Sequence, residues 1–95
     1  MIHRTRRYRV RPDAVAEARR LADELVAAVA AAERDTLVYR ALQRSDAPTE
    51  FLHYMVFVDD AAEARHLQSA HARHHGEALA SLRRPPPRAL TALRS

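Results

Sequence analysis

Residues 51–82 read FLHYMVFVDDAAEARHLQSAHARHHGEALASL, and the opening run, Phe51 to Val58, decides the fold. It is apolar or aromatic apart from His53. Alternate side chains of a strand point to opposite faces, so Phe51, His53, Met55 and Phe57 share one face. Leu52, Tyr54, Val56 and Val58 take the other. A strand apolar on both faces is covered on both. Asp59 and Asp60 end it and supply carboxylates to the N-terminus of a following helix, where they complement unpaired N–H groups and the dipole. Helical residues run from about Ala61 to Leu82 and carry His66, His71, His74 and His75, four of the six histidines. His66–Leu67 and His71 do not share one face of a straight helix, so a break is expected near Ser69–Ala70.

Upstream, residues 2–11 (IHRTRRYRVR) have strand character. Ile2, Arg4, Arg6, Tyr8 and Val10 fall on one face, with His3, Thr5, Arg7, Arg9 and Arg11 on the other. Pro12 ends this strand and Asp13 is the expected N-cap of the next element. From Ala14 to Arg34 apolar residues recur at Ala14, Ala18, Leu21, Leu25, Ala28 and Ala32, widened by Val15, Ala22, Val26 and Val29. This is the stripe of a long amphipathic helix with a small-residue face that can lie close to a sheet. Thr36 to Arg44 alternates as a second strand, with Leu37, Tyr39 and Ala41 on one face. Ser45–Pro48 is a turn by composition, so the second and third strands are expected to form an antiparallel hairpin. After the Arg83–Pro87 connector, Arg88 to Arg94 is read as a closing strand.

A chain of 95 residues is one domain, residues 1–95, with a modest core that removes roughly 60–65% of its unfolded surface from water. With no cysteine, disulfides and thiolate metal sites are excluded. Charges interrupt the apolar stretches too often for a membrane span and no secretory signal opens the chain, so a cytoplasmic location is expected. All 16 basic residues are arginine, and the net charge of +4 permits an anionic partner without demanding one.

The element order is β-α-β-β-α-β, a ferredoxin-like α+β arrangement with an antiparallel four-stranded sheet. Two helices cover one face of such a sheet, yet Phe51–Val58 needs both covered. A second copy packed sheet to sheet supplies the missing layer, so a homodimer is expected.

In that order the chain carries Val10-Arg11-Pro12, then Leu37-Val38-Tyr39, then Arg44-Ser45, an aromatic strand ending in Asp, and Ala62-Glu63-Ala64-Arg65-His66-Leu67-Gln68-Ser69-Ala70-His71. Over nearly its whole length it resembles the antibiotic biosynthesis monooxygenase family of dimeric α+β barrels. The resemblance implies a homodimer with a pocket between sheet and helices in each subunit. It also implies a monooxygenase that oxidises a phenolic, quinol or polyketide-type aromatic with O₂ and no cofactor, binding the substrate, favouring its deprotonation and excluding water. Two departures stand out. Tyr54-Met55-Val56-Phe57 replaces the Tyr-Glu-x-Trp found on the third strand of many members. The Asn, Trp and His of the haem-degrading branch fall nearest Arg6, Phe57 and Gly76, with His75 one residue away, which argues against haem degradation.

His66 and His71 match the family motif and are candidates for the base that takes a phenolic proton, since histidine titrates near neutrality; the plain alternative is that they pack the helix break. His53 is the third candidate, lying beside Met55 and Phe57 as one titratable group on an apolar wall; the equal alternative is that the three form half of a buried dimer interface with a satisfied histidine. Tyr39 and Tyr54 are candidate wall residues, with core packing the favoured alternative, and Arg6 can point inward to steady an oxyanion. The i, i+3, i+4 spacing of His71, His74 and His75 is compatible with a metal, but solvated surface histidine is preferred and no metal or other cofactor is expected. Arg4, Arg6, Arg7, Arg9 and Arg11 form the densest basic run. Without a nucleic-acid-binding motif beside it, a solvated strand face with ion pairs is preferred over DNA or RNA. The second functional reading is a non-catalytic dimeric module that binds a small ligand; the lost Glu and Trp favour it.

Overall fold

A computed structural model describes residues 1–83. Three strands, β1 (Ile2–Arg9), β2 (Thr36–Gln43) and β3 (Glu50–Phe57), form one antiparallel sheet in the order β1-β3-β2. The long helix α1 (Val15–Ala32) joins β1 to β2, and α2 (Asp60–Gln68) and α3 (Ala70–Arg83) follow β3. This is the ferredoxin-like α+β fold. The closing strand expected over Arg88–Arg94, and residues 84–87 of the connector, lie outside the described residues.

β3 is central because it is the strand that both neighbours can shelter. Arg6 stands opposite His53 and Tyr8 opposite Phe51 across the β1 edge, while Tyr39 stands opposite Met55 and Ala41 opposite His53 across the β2 edge. Phe51, His53, Met55 and Phe57 are all buried beneath the helices. The alternation expected for β3 therefore holds in full on this inner face. On β2 it holds only in part. A bulge between Thr36 and Val38 leaves Leu37 without a strand partner and 52% exposed, while Tyr39 and Ala41 keep to the inner side.

α1 turns Ala18, Leu21, Ala22, Leu25 and Val29 into the core. Ala18 is wholly buried against Tyr8, Val10, Ala14, Phe51 and Leu79, and its small side chain lets α1 lie close over the sheet. Asp13 does not cap this helix. Pro12–Ala14 form a 3₁₀ turn, Ala14 takes the cap position without a side-chain bond, and the Asp13 carboxylate pairs with Arg11 instead. The tight turn that proline starts is continued by α1, so the helix begins one residue after the expected position. Asp59 does cap α2, accepting from the Ala62 N–H at 2.9 Å.

The break between α2 and α3 sits at Ser69. Its backbone is extended, its hydroxyl donates to the His66 carbonyl at 2.6 Å and accepts from the Ala72 N–H at 3.1 Å. One serine thereby closes the first helix and opens the second. Among the described residues no helix is long and apolar enough to cross a membrane.

Candidate functional site

The inner face of the sheet meets the helices in a cluster of polar aromatic groups. His53 is 0% exposed, and both ring nitrogens are engaged: the Tyr8 hydroxyl lies 2.7 Å from Nε2 and the Tyr39 hydroxyl 2.8 Å from Nδ1. A neutral imidazole has one donor and one acceptor nitrogen, so one tyrosine donates and the other accepts. Burial, followed by the nearby charges of Arg6, His75 and His66, drives the His53 pKa down to about 3. Burial outweighs the opposing influence of Arg6 on both tyrosines, and pushes each hydroxyl up to about 12. The Tyr39–His53–Tyr8 chain is thus uncharged across the neutral range, and the one ring lone pair of His53 is already used by a tyrosine hydroxyl.

Arg6 is exposed overall, but its guanidinium turns towards the helices. Its guanidinium stands 5.5 Å from the centre of the Tyr8 ring, two residues along the same strand face, a cation–π contact. Its Nη2 donates to Nδ1 of His75 at 2.9 Å. His75 is only 2% exposed, which corrects the expectation that it belongs with His71 and His74 on a solvated face. The reason lies downstream: Leu79 and Leu82, four and seven residues on, pack into the core and carry His75 inward on the same side of α3. Burial, then the charges of Arg6 and His74, hold its pKa down at about 4. With Nδ1 accepting from Arg6, the ring proton sits on Nε2. That N–H is buried and has no hydrogen-bond partner among the described residues.

His66 and His71 come together at a different corner. Nδ1 of His66 lies 2.8 Å, and Nε2 of His71 2.5 Å, from the same oxygen, Oε2 of Glu33 at the C-terminal end of α1. The Thr36 hydroxyl donates to the other oxygen at 2.6 Å. Burial alone would raise the Glu33 pKa, but the hydrogen bonds from Thr36, His71 and His66 outweigh it and hold the carboxyl below its ordinary value. The His66 ring bridges the two corners, 5.3 Å from Tyr39 and 5.5 Å from Phe57 between ring centres.

The structure therefore assembles Arg6, Tyr39, His53, Met55, Phe57 and His66 on the inner face, with His71 at its margin. Tyr54 is not among them. It projects from the opposite face of β3, where its hydroxyl meets Nδ1 of His3 at 2.9 Å. Arg4, Arg9 and Arg11 of the basic run pair with Glu63, Glu50 and Asp13, respectively. Two residues that carry the site, Tyr8 and Glu33, have no place among the candidates read from the sequence, and His75 enters there as a possible metal ligand that is set aside. Tyr8 shares the strand face of Arg6, and the spacing of His75 to Leu79 and Leu82 was a readable signal. Glu33 had none, because it meets its histidines only through the fold.

A small α+β domain with helices over one face of an antiparallel sheet and a polar aromatic cluster between them defines the class. The antibiotic biosynthesis monooxygenase family matches residues 1–78, and the chain belongs to that family. Among solved structures, one of an antibiotic biosynthesis monooxygenase superposes with a TM-score of 0.81 at 21% identity, covering 90% of this chain and 88% of that one. Rv0793 from Mycobacterium tuberculosis does so at 0.78 and 23%, covering 88% and 84%. A conserved protein from Methanosarcina mazei Go1 gives 0.78 and 18%, covering 87% and 81%. At these identities the likeness is one of fold. No curated protein matches the sequence.

Proposed function

We propose that this chain is a cofactor-independent monooxygenase that oxidises a phenolic or quinol-type aromatic, and that it works as a homodimer. One observation carries the reading: His75 keeps a buried N–H without a partner among the described residues, and Arg6 fixes which nitrogen holds that proton. A buried unsatisfied donor costs about 1–3 kcal/mol and is kept where it has a role. A phenolate oxygen is the matching acceptor. The His75 N–H and the Arg6 guanidinium behind it favour the anion over the neutral phenol, so the substrate loses its proton to solvent more easily. The electron-rich phenolate then supplies the electrons for O₂. In an anthrone-type oxidation one oxygen atom enters the ring carbon as a carbonyl, and the other leaves as water with the two hydrogens from that carbon.

In this reading the protein's part is anion stabilisation rather than proton abstraction. His53 is a wall residue, locked between two tyrosines. Nδ1 of His66 and Nε2 of His71 are both turned to Glu33, although the His66 ring packs on Tyr39 and Phe57. The proposed partner copy would cover the outward face of the sheet, where Leu42 is 45% exposed and Leu52 and Tyr54 are half-buried.

The alternative, a ligand-binding module without chemistry, is favoured by Met55 and Phe57, which are buried core residues in place of the Glu and Trp of many relatives. Oxygen uptake with a panel of hydroquinones and anthrones separates the two. Turnover that falls roughly tenfold or more in Arg6→Gln and His75→Leu supports the oxidase. Binding of the same compounds without oxygen uptake supports the module.

A further inference from the structure

The cluster that this chemistry leaves unused is the one at Glu33. Its three side chains come from three elements: Glu33 from the cap of α1, His66 from the last turn of α2, His71 from the first turn of α3. One atom from each lies within 4.8 Å of the others. The carboxylate is 11% exposed, His66 4% and His71 22%, so the group is closed on the core side and reachable from one direction.

We propose that Glu33, His66 and His71 form a three-ligand site for a divalent transition metal, with zinc as the ion that suits it. Two imidazole nitrogens and one carboxylate oxygen are the donor set of borderline cations, whereas magnesium and calcium take oxygen ligands throughout. Zinc binds such nitrogens and oxygens at about 2.0–2.2 Å, so tetrahedral ligand atoms stand roughly 3.3 Å apart. The two contacts to Glu33, 2.8 and 2.5 Å, must lengthen by less than about 1 Å, and the three ligand atoms already lie within 4.8 Å of one another. Each imidazole then offers the nitrogen that now faces Glu33 and carries its proton on the other. Support around the ligands is already in place. Thr36 holds the second carboxylate oxygen, and the Ser69 hydroxyl binds the His66 carbonyl at the helix break that brings the two histidines together.

The fourth position opens onto a cleft of about 590 Å³ lined in part by Arg34, Asp35, Thr36, Arg65 and Ser69. Arg65 is paired with Asp35 at 2.7 Å. The arginines at this rim oppose a bare cation and favour an anion or hydroxide as its fourth ligand. This set differs from the i, i+3, i+4 histidines of α3: His75 is turned into the core on Arg6, and His74 takes no part.

The test is calorimetric titration of ZnCl₂ into the full chain, purified without a histidine tag and freed of metal by chelation. One zinc per chain with micromolar or tighter affinity is expected, weakened roughly tenfold or more in His71→Ala and Glu33→Gln and unchanged in His74→Ala. Because Glu33 is partly structural, CoCl₂ on the native chain gives an independent readout: the strong visible absorption of four-coordinate cobalt is expected. Millimolar binding, a loss of affinity in His74→Ala equal to that in His71→Ala, or a weak six-coordinate cobalt spectrum overturns the site. None of these readouts depends on turnover, so the metal site and the oxidase stand or fall separately.

Discussion

At the scale of single residues, the decisive groups are two buried histidines that stay neutral. His53 and His75 hold pKa values of about 3 and about 4, against 6.5 for an ordinary imidazole. The unfolded chain therefore takes up protons at these sites that the folded chain refuses. Stability contributed by their neutral forms is full above about pH 6.5 and is lost progressively as the pH falls towards their folded values. Between about pH 6.5 and 5 most carboxylates remain ionised, and each histidine accounts for up to about 1.4 kcal/mol per pH unit. Urea unfolding across that interval is expected to show a falling midpoint, with a shallower fall in His75→Leu. A midpoint that does not move from pH 6.5 to 5 contradicts the neutral cluster. The inner-face membership of His53, Met55, Phe57 and Tyr39 was readable from period-two alternation. The bonds of His53 were not, because the tyrosines that hold it lie 45 and 14 residues away in sequence, and strand register alone brings them together.

Among the elements, local chemistry was the most legible. Asp59 reads as a cap and is one; the helix break reads from the phase of His66 and His71 and lies at Ser69. Two misreadings share a cause. Asp13 reads as a cap and His75 as a surface residue when only their immediate neighbours are considered. Arg11 takes the first by an ion pair, and the core contacts of Leu79 fix the second. Leu37 left its strand face through a bulge that no pattern in TLVYRALQ announces. Ser69 offers a direct check on the break. Ser69→Ala removes the hydroxyl that accepts from Ala72 and is expected to cost about 0.5–2 kcal/mol in chemical unfolding. It should also weaken zinc binding, since the same hydroxyl sets the angle between His66 and His71. A Ser69→Ala chain with unchanged stability would show that the break is held by packing alone.

For the molecule as a whole, the described residues form two layers, helices over one face of the sheet, and the outward face of the sheet is only partly covered. Val56 is buried, but Leu42 and Val58 are 45% and 40% exposed. Light scattering on a sizing column is expected to give twice the 10.8 kDa chain mass, and Leu52→Arg to shift it towards the single chain. A native mass of one chain at micromolar concentration contradicts the proposed dimer. The central functional claim, that Arg6 and His75 favour a phenolate, is tested most directly by a spectroscopic pH titration of bound 4-nitrophenol, whose anion absorbs in the visible. The bound phenol is expected to ionise roughly one pH unit or more below the free compound, with the shift lost in Arg6→Gln and in His75→Leu. A bound phenol that ionises at or above its free value would contradict it.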